Sequence, residues 1–381
     1  MNPGEIVSPP AVGARATAAG SGCEVLLLGP ALTAVSGVAT HLNQLLASPL
    51  AAHFRLRHFQ VGSEGRAESR AGLVLRMITS PFSLAACLLW WRPRIVHVNT
   101  SFEPKGYWRD LVYLAVAKAL RRKVVYQIHG GALPGQFFAR SRVLTTLLRR
   151  ALSWPDVVVL LVQSEVAAYH AFAPRARLVR IANAVAIHDA DLRAERYRAD
   201  RPLQVVYLGR LAANKGIFES IEAVRILRDR GVEVRLALVG DGSAASAARA
   251  AIAAAGLGER VTVLAPVFGS AKQLLWQGAD VLAFPSHAEG LPFSLLEAMS
   301  AGAVPVVSPV GAIPDVVQHE VHGLLVPARN PPALADALER LARDRALLHR
   351  LAVAARARVV QHFSVVRQAE EFASIYASLL K

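Results

Sequence analysis

The amino-acid sequence predicts an α/β protein with two doubly wound, Rossmann-like halves. Three observations support this fold class. Short apolar runs rich in β-branched residues alternate with helical stretches, the pattern restarts after residue 200, and a polar, charge-dense segment at 189–202 separates the two series. Near-continuous apolar strands between helices are typical of parallel sheets covered on both faces. We therefore expect two such sheets that face each other across a central cleft.

The predicted strands come in two series along the chain. The first comprises 24–29, 95–98, 123–128, 157–162 and 177–181, and the second comprises 204–208, 234–239, 261–264, 281–284, 304–307 and 324–326. These series give an N-terminal domain at 22–188, a linker at 189–202 and a C-terminal domain at 203–365. The pattern of residues 366–381 predicts an amphipathic helix with no strand after it. Whether this helix packs back onto the N-terminal domain stays open from the sequence.

The first 21 residues are rich in Ala, Gly and Pro, and we expect a disordered tail there. This tail lacks a basic segment followed by an apolar core, so the sequence predicts no signal peptide. The chain has two cysteines, Cys23 and Cys87, which excludes a disulfide framework or a cysteine-rich metal site and fits a reducing compartment. The longest apolar run, 82–91, is about half of what a spanning helix needs, so we expect no transmembrane segment.

The positive charge is concentrated in the first half of the chain. Residues 1–200 hold 24 Lys and Arg against 12 Asp and Glu, whereas residues 201–381 hold 19 against 16. This asymmetry indicates a first half that meets something anionic. An Arg-rich and Ala-rich composition that reflects a GC-rich genome remains the alternative explanation.

The most informative motif lies between the predicted strand 281–284 and the helix that follows it. The loop contains Glu289 and leads through Gly290 and Leu291 into a helix that carries Glu297. A helix start at the carboxyl edge of a parallel sheet offers free amides to an anion, and carboxylates accept hydrogen bonds from sugar hydroxyls. The block suits a ligand with a diphosphate and sugars. The alternative is that Glu289 is a helix N-terminal charge and Glu297 a solvated helix residue.

Two glycine-containing loops follow earlier strands of the same half. Residues 209–216 carry Arg210 and Lys215, whose donors suit phosphate oxygens, although the spacing is not that of a Walker A loop. Gly240-Asp-Gly242 resembles a dinucleotide fingerprint, but it follows the second strand of the half and lacks an acid at the end of the next strand. We expect a tight turn there and no NAD(P).

In the first half, candidate residues also follow predicted strands. Gly37 follows the opening strand and allows a ligand to approach the backbone closely, and His129 ends the strand 123–128 beside two glycines. The residues leave open whether His129 is functional or structural. Asp189 and Asp191 form an Asp-x-Asp pair, but it lies in the linker, so we expect a solvated loop and no metal site.

Taken together, these motifs resemble the retaining glycosyltransferases of family four, which have the GT-B fold. The resemblance rests on the E-x7-E block from Glu289 to Glu297, the loop 209–216, the turn at Gly240 and the segment 310–317. It covers nearly all of residues 203–330. In the first half it rests on residues 36–38, on His129 with Gly130, and on the order of the strands.

The resemblance implies a nucleotide-diphosphate sugar as donor substrate in the C-terminal domain and an acceptor in the N-terminal domain, with no cofactor and no metal. By this likeness, Glu289 and His129 are catalytic and contact the transferred sugar. The remaining residues implied at the site bind the donor: Gly37, Arg210, Lys215, Gly290 and Leu291 near the diphosphate, Glu297 at the ribose, and Pro266 and Val267 at the base. Where the family often has Asn-Gly-Val-Asp, this chain has Asn183 followed by Ala-Val-Ala.

The stretch 137–154 bears on the acceptor. It contains Arg140, Arg142, Arg149 and Arg150, has no acidic residue, and repeats apolar residues at helical spacing. Such a helix can lie in an anionic membrane interface, and a core helix with a solvated basic face is the alternative. We therefore expect a cytoplasmic enzyme, peripheral at the inner face of the membrane, that acts on a lipid-linked acceptor in cell-surface polysaccharide or glycolipid synthesis.

Three alternatives stay open from the sequence. The acceptor could be a soluble small molecule, and a sugar-nucleotide epimerase would share the donor chemistry. The net charge of +15 suggests a non-catalytic nucleic-acid binder, but a clustered basic and aromatic stripe is missing, so we expect no nucleic-acid partner.

Overall fold

The computed structural model describes residues 24–66, 68–131, 133–192, 197–198 and 200–381. The tail expected at 1–21 and Cys23 lie outside the described residues, and so do residues 193–196 and 199 of the linker.

The N-terminal domain is built on six parallel strands in the order β2-β1-β3-β4-β5-β6. The strands are β1 (Glu24–Gly29), β2 (Arg55–Gln60), β3 (Ile95–Phe102), β4 (Lys123–Gly131), β5 (Val157–Leu160) and β6 (Leu178–Arg180). The helices are α1 (Gly37–Ala47), α2 (Leu50–His53), α3 (Arg70–Trp91), α4 (Pro104–Ala119), α5 (Pro134–Phe137), α6 (Arg142–Ala151) and α7 (Gln163–Phe172). Strand β2, at the edge of this sheet, is absent from the sequence prediction.

The C-terminal domain has a second sheet of six parallel strands, in the order β12-β11-β10-β7-β8-β9. The strands are β7 (Leu203–Leu208), β8 (Val234–Val239), β9 (Val261–Leu264), β10 (Val281–Phe284), β11 (Val304–Val307) and β12 (Leu324–Leu325). The helices that follow β7 along the chain are α8 (Ile217–Asp229), α9 (Ala245–Ala254), α10 (Gly269–Gly278), α11 (Phe293–Ser300), α12 (Ile313–Val316), α13 (Pro331–Arg343), α14 (Arg345–His362) and, after the C-terminal domain, α15 (Val365–Leu380). The predicted fold class, two doubly wound α/β sheets, is confirmed.

Each sheet has one place where the strand order reverses. In the first, the chain moves outward from β1 to β2 and returns to β3 on the other side of β1. In the second, it moves outward from β7 through β8 to β9 and returns to β10 beside β7. Ligands of open α/β sheets bind in the crevice outside the carboxyl ends of the strands at such a switch point. The topology therefore directs attention to the loops after β1 and β3, and after β7 and β10.

The last helix returns to the domain in which the chain begins. Phe372 and Tyr376 of α15 are fully buried in the same core cluster as Val25 of β1 and Leu42 of α1. Where α15 begins, the chain passes over the end of the first domain, because the backbone N–H of Val365 donates to the carbonyl of Val185 over 3.1 Å. The two domains thus share a covalent linker and a crossing helix.

The structure corrects the predicted length of one helix and bears on the two alternatives left open for another. The apolar run 82–91 is the second half of α3, which begins at Arg70 and has 22 residues, so the apolar helix is twice as long as expected. Among the described residues, α3 is the one helix that is long and apolar enough to cross a membrane, by length and composition only. Helix α6, proposed as a membrane contact, instead turns Leu148 and Ala151 into the core, and the guanidinium of Arg149 is bound to the Phe172 carbonyl at 2.9 Å. This packing favours the alternative of a core helix with a solvated basic face.

Candidate functional site

The switch point of the C-terminal sheet brings two predicted site residues into contact. Lys215 ends a 3-10 turn after β7, and Glu289 lies in the loop after β10. The Lys215 ammonium donates to the Glu289 carboxylate over 2.6 Å and to the Ala288 carbonyl over 3.3 Å. Both side chains are largely enclosed, with 16% and 9% of their surfaces exposed. The cation and the acid that the sequence places 74 residues apart therefore form one unit.

Close backbone packing holds this unit in place. Gly216 adopts a φ of +76°, and a Cβ there would overlap the Pro285 carbonyl. The Gly240-Asp-Gly242 turn packs against the neighbouring loop, since the backbone N–H of Leu211 donates to the Asp241 carbonyl over 2.8 Å. A side chain at either glycine of the turn would collide with that loop. The geometry agrees with the expected tight turn, and these glycines are required by close approach of the backbone.

A second acid and lysine pair lies on the next helices. Glu297, on the second turn of α11, accepts hydrogen bonds from the Lys272 ammonium at 2.6 Å and from the Trp276 indole N–H at 3.4 Å. Lys272 and Trp276 belong to α10, so the carboxylate is held from a neighbouring helix. Sequence reasoning did not identify Lys272. The sequence shows only that Lys272 follows the loop of Pro266 and Val267. No motif near Lys272 indicates that it pairs with Glu297.

The other predicted donor contacts are open to solvent. Arg210 is exposed directly after β7, and within the described residues its guanidinium takes part in no ion pair. Pro266 is exposed and Val267 half-buried in the loop after β9, at the far edge of the sheet. Helix α11 begins at Phe293, with Pro292 as its N-cap.

The sequence analysis did not identify His287, which lies beside the cleft, as a site residue. The His287 ring is bonded to the Glu219 carboxylate of α8 over 2.6 Å, and the backbone N–H of His287 donates to the Asn214 carbonyl over 3.0 Å. These contacts fasten the beginning of the Glu289 loop to the loop that carries Lys215. Because Glu219 lies 68 residues from His287, no spacing in the sequence indicated the pair.

The N-terminal domain forms the opposite wall. A Cβ on Gly37, the first residue of α1, would lie 3.8 Å from the Phe293 ring at the start of α11. A Cβ on Gly130 would lie 3.5 Å from the Cα of Gly290. The buried Asn183 side chain donates to the Leu291 carbonyl over 2.8 Å. Thus the segments at Gly37, at His129 and at Asn183 all meet the loop from Glu289 to Phe293, and Asn183 links the domains although its neighbours depart from the family pattern.

His129 belongs to a group of histidines enclosed between β3, β4 and α1. Its Nε2 is 3.0 Å from the Asn99 amide oxygen, and the ring of the buried His41 lies 4.7 Å away. Behind them, His97 Nδ1 is 2.7 Å from the Tyr376 hydroxyl of α15. The Gln127 amide oxygen lies 3.0 Å from His97 Nε2. The site wall is therefore connected through polar contacts to the crossing helix.

Burial keeps these rings neutral. It lowers the pKa of His41 from 6.5 to about 4 and, together with the nearby His41, lowers the pKa of His97 to about 3. Burial, followed by the charges of His41 and His97, holds the pKa of His129 well below 6.5. At neutral pH, His129 can therefore accept or donate a hydrogen bond at the cleft but carries no positive charge.

The described residues contain no group of three or more His, Cys, Asp or Glu side chains placed to hold a metal ion. Asp189 and Asp191 are exposed in the segment after β6.

Comparison with known families places two domain models along the chain. The model described as "Glycosyl transferase 4-like domain" matches residues 13–184. The model described as "Glycosyl transferases group 1" matches residues 189–358. Their boundary falls at the linker between the two sheets.

Individual relatives point the same way. The chain is 32% identical over 191 residues to an alpha-D-kanosaminyltransferase of Streptomyces kanamyceticus, covering 50% of this chain and 49% of the relative. It is 32% identical over 170 residues to the amylovoran biosynthesis glycosyltransferase AmsK of Erwinia amylovora, covering 43% and 42%. The match thus spans about half the length of these curated relatives or less.

Among solved structures, Anabaena HepE in complex with UDP-glucose superimposes with a TM-score of 0.70 at 19% identity, covering 93% of this chain and 100% of that chain. At this identity the likeness concerns the fold alone.

Proposed function

This chain belongs to the GT-B glycosyltransferases of family four, and on that premise we propose that it transfers a hexose from a nucleotide-diphosphate sugar to an acceptor, with retention of the anomeric configuration. The observation that carries the proposal is the contact of Lys215 with Glu289 at the switch point of the C-terminal sheet. It combines a phosphate-binding cation with a sugar-binding carboxylate where open α/β sheets bind ligands.

Lys215 and Arg210 hold the diphosphate in this proposal. Both follow β7, and the loop directly before α11 adds the backbone N–H groups of Gly290 and Leu291. When the donor binds, the Lys215 ammonium exchanges part of its bond to Glu289 for a phosphate oxygen. Because the ammonium lies beside the Glu289 carboxylate, it offsets the repulsion between this carboxylate and the diphosphate. Gly37 allows the opposite domain to approach the same group without a side chain.

Glu297 takes the ribose hydroxyls. A carboxylate can accept several hydrogen bonds at once, so its contacts with Lys272 and Trp276 leave room for the ligand. Those two side chains hold the carboxylate in one orientation. Pro266 and Val267 then contact the base through their backbone at the edge of the sheet.

The reaction we propose breaks the bond between the anomeric carbon and the diphosphate oxygen, which leaves with the electron pair. The acceptor hydroxyl forms the new bond on the same face of the sugar and passes its proton to the departing diphosphate. Glu289 and the neutral His129 bind hydroxyls of the transferred sugar, and stabilisation of the leaving diphosphate by Arg210, Lys215 and the α11 amides is the main catalytic contribution. No step of this scheme requires a cofactor or a metal.

For the acceptor we propose a lipid-linked glycan of cell-surface polysaccharide synthesis, met at the cytoplasmic face of the membrane. The basic first half and the similarity to a protein named for amylovoran biosynthesis support this choice. A soluble acceptor is the competing proposal. Transfer assays with a polyprenyl-diphosphate sugar and with water-soluble sugars distinguish the two.

The donor site is tested by thermal shift with UDP- and GDP-sugars, because a ligand that binds only the folded state raises the melting temperature. At a hundredfold excess over Kd, such a ligand adds about 2.7 kcal/mol to the free energy of unfolding. We expect one nucleotide sugar to give a shift. Lys215→Ala and Glu297→Ala should abolish it, each compared with its own ligand-free melting temperature. Asp189→Ala, on the exposed linker, is the control and should keep the full shift. A shift by no nucleotide sugar, or one lost in the Asp189 variant, contradicts the assignment.

A further inference from the structure

Helix α3 presents an apolar outer face that nothing in the described parts of the chain covers. Its large exposed side chains run from Val74, 56% exposed, to Trp90, 86% exposed. The full set is Val74, Leu75, Met77, Ile78, Phe82, Leu89 and Trp90. Soluble monomers rarely expose so many large apolar side chains on one element, and such patches mark interaction sites.

Only a narrow stripe of α3 faces the protein. Its buried residues are Ser80, Leu84 and Leu88, and the Ser80 hydroxyl is 2.5 Å from the Tyr113 hydroxyl of α4. Helix α4 packs beside α3 and contributes exposed Trp108 and Val112, at 44% and 45%. We refer to the exposed apolar residues of α3, together with Trp108 and Val112, as the α3 face.

Basic residues border the α3 face, and acidic residues are missing from it. From Arg70 to Arg94 the sequence contains no Asp or Glu. Within the described residues, the one acid that forms an ion pair with this helix is Glu68, bonded to Arg76 at 2.6 Å. At the carboxyl ends of the two helices, Arg92 and Arg121 are exposed. The guanidinium of the nearby Arg94 instead donates to the Leu380 carbonyl of α15 over 3.2 Å.

The topology excludes a spanning orientation for α3. Strand β2 precedes the helix and β3 follows it, yet β1 pairs with both strands in one sheet. A helix that crossed the bilayer would place β2 and β3 on opposite sides of it. Helix α3 can therefore meet a membrane only with its outer face, parallel to the surface, as interfacial helices do.

We propose that the α3 face docks onto an anionic lipid bilayer, with the apolar side chains in the interface and Arg92 and Arg121 against the lipid headgroups. Charge complementarity selects this occupant, because basic residues and tryptophans bordering an apolar face suit anionic lipid. A second copy of the chain would bring two basic borders together with no acid between them.

Helix α3 follows the carboxyl end of β2, so its first turn lies at the edge of the sheet that faces the cleft. The inference deepens the proposed function and rests on it for its purpose: a lipid-linked acceptor reaches the cleft from this side.

The test measures co-flotation of the full-length protein with vesicles of phosphatidylcholine alone and with added phosphatidylglycerol, at low and high salt. Ile78→Glu and Phe82→Glu change exposed side chains, 61% and 72%, so the fold should persist. Each should weaken binding to the anionic vesicles by about tenfold or more. Val143→Glu is the matched control: this side chain is 78% exposed, and it lies on α6, the helix that the sequence had suggested. It should leave binding unchanged.

Three outcomes overturn the proposal: no binding of the wild-type protein to anionic vesicles, equal loss in the Val143 variant, or a dimer in solution that Phe82→Glu dissociates in the absence of vesicle binding. Thermal shift with nucleotide sugars on the same variants keeps the two proposals apart. If the shift persists while vesicle binding is absent, the docking surface is wrong and the donor site stands. If vesicles bind and no nucleotide sugar does, the proposed function fails and the α3 face stands.

Discussion

Both acidic residues of the E-x7-E block are paired with a lysine. Glu289 is bonded to Lys215 and Glu297 to Lys272, each at 2.6 Å. The residue types and their position after strands predicted the acids and Lys215, because loops at the carboxyl edge of a sheet follow a local rule. Lys272 could not be predicted, because its pairing depends on how α10 packs on α11. Residue patterns thus selected the two acids and Lys215, but not the Lys272 partner that orients Glu297.

The enclosed histidines make stability depend on pH. Burial lowers the pKa of His41 to about 4 and that of His97 to about 3, whereas an unfolded histidine titrates near 6.5. As the pH falls below about 6.5, the unfolded chain binds protons that the folded chain does not, so stability is complete above this value and is lost below it. These two histidines should lower the free energy of unfolding by at most about 3 kcal/mol per pH unit.

Urea unfolding at about pH 7.5, 6 and 5 checks this expectation, since those values bracket the unfolded pKa. His41→Leu should reduce the pH dependence, because it removes one buried ring that cannot take up a proton. His170→Gln, an exposed histidine in the last turn of α7, should leave the dependence unchanged. An identical pH dependence in the wild-type protein and the His41 variant would show that burial of this ring has no such effect.

Among the elements, the strands buried in both sheets were predictable and the exceptions have physical reasons. Strand β2 has the sequence Arg-Leu-Arg-His-Phe-Gln and lies at an edge, so it lacks the continuous apolar run of a central strand. Helix α3 was predicted too short because Thr79, Ser80 and Pro81 interrupt its apolar run. In the structure Ser80 turns inward to Tyr113, so a polar residue is buried while apolar ones are exposed. The amphipathic pattern of α15 indicated an apolar face but not the surface it packs against.

Helix α15 should stabilise the domain it returns to. The Phe372 side chain is fully buried in the core cluster shared by β1, β3 and α1. Phe372→Ala should lower the free energy of unfolding by about 3–5 kcal/mol, because it leaves a cavity in a packed core. Val366→Ala, on the same helix but 55% exposed, should change it by less than about 0.5 kcal/mol. Urea unfolding measures both, and equal effects of the two substitutions would contradict the packing of α15 against the first domain.

For the whole molecule, the arrangement of the two domains brings residues of both to the candidate site. Each switch point follows from the strand order of its own sheet. The sequence predicted parallel sheets but not these orders, and it missed β2, whose place beside β1 creates the first switch point. The contacts across the cleft join residues more than a hundred positions apart, as Asn183 and Leu291 do. No periodicity or local motif encodes such a distance, so the sequence predicted two facing domains but not which backbones meet.

The approach of Gly130 to Gly290 sets how far the domains close. A Cβ on Gly130 would lie 3.5 Å from the Gly290 Cα, so an added methyl group would already be in van der Waals contact with the opposite wall. Gly130→Leu should hold the domains apart and lower kcat/KM by about tenfold to a hundredfold, because misplacing a reacting group by about 1 Å has such effects. Gly130 also has a φ of +93°, which a leucine adopts at a cost of about 1–2 kcal/mol of stability.

Gly231→Leu is the control that has the backbone cost of a positive φ without an effect on closure of the two domains. Gly231 has a φ of +70° and no neighbouring atom within 4 Å of an added Cβ, so the substitution strains the backbone without obstructing the cleft. It should lower stability to a similar degree and leave turnover intact. Gly290→Leu places the side chain on the opposite wall of the cleft and should reproduce the loss of turnover. Binding of the nucleotide alone, which involves the C-terminal sheet, should persist in Gly130→Leu. If this variant turned over the donor as fast as Gly231→Leu does, the contact between the two glycines would have no part in closing the site.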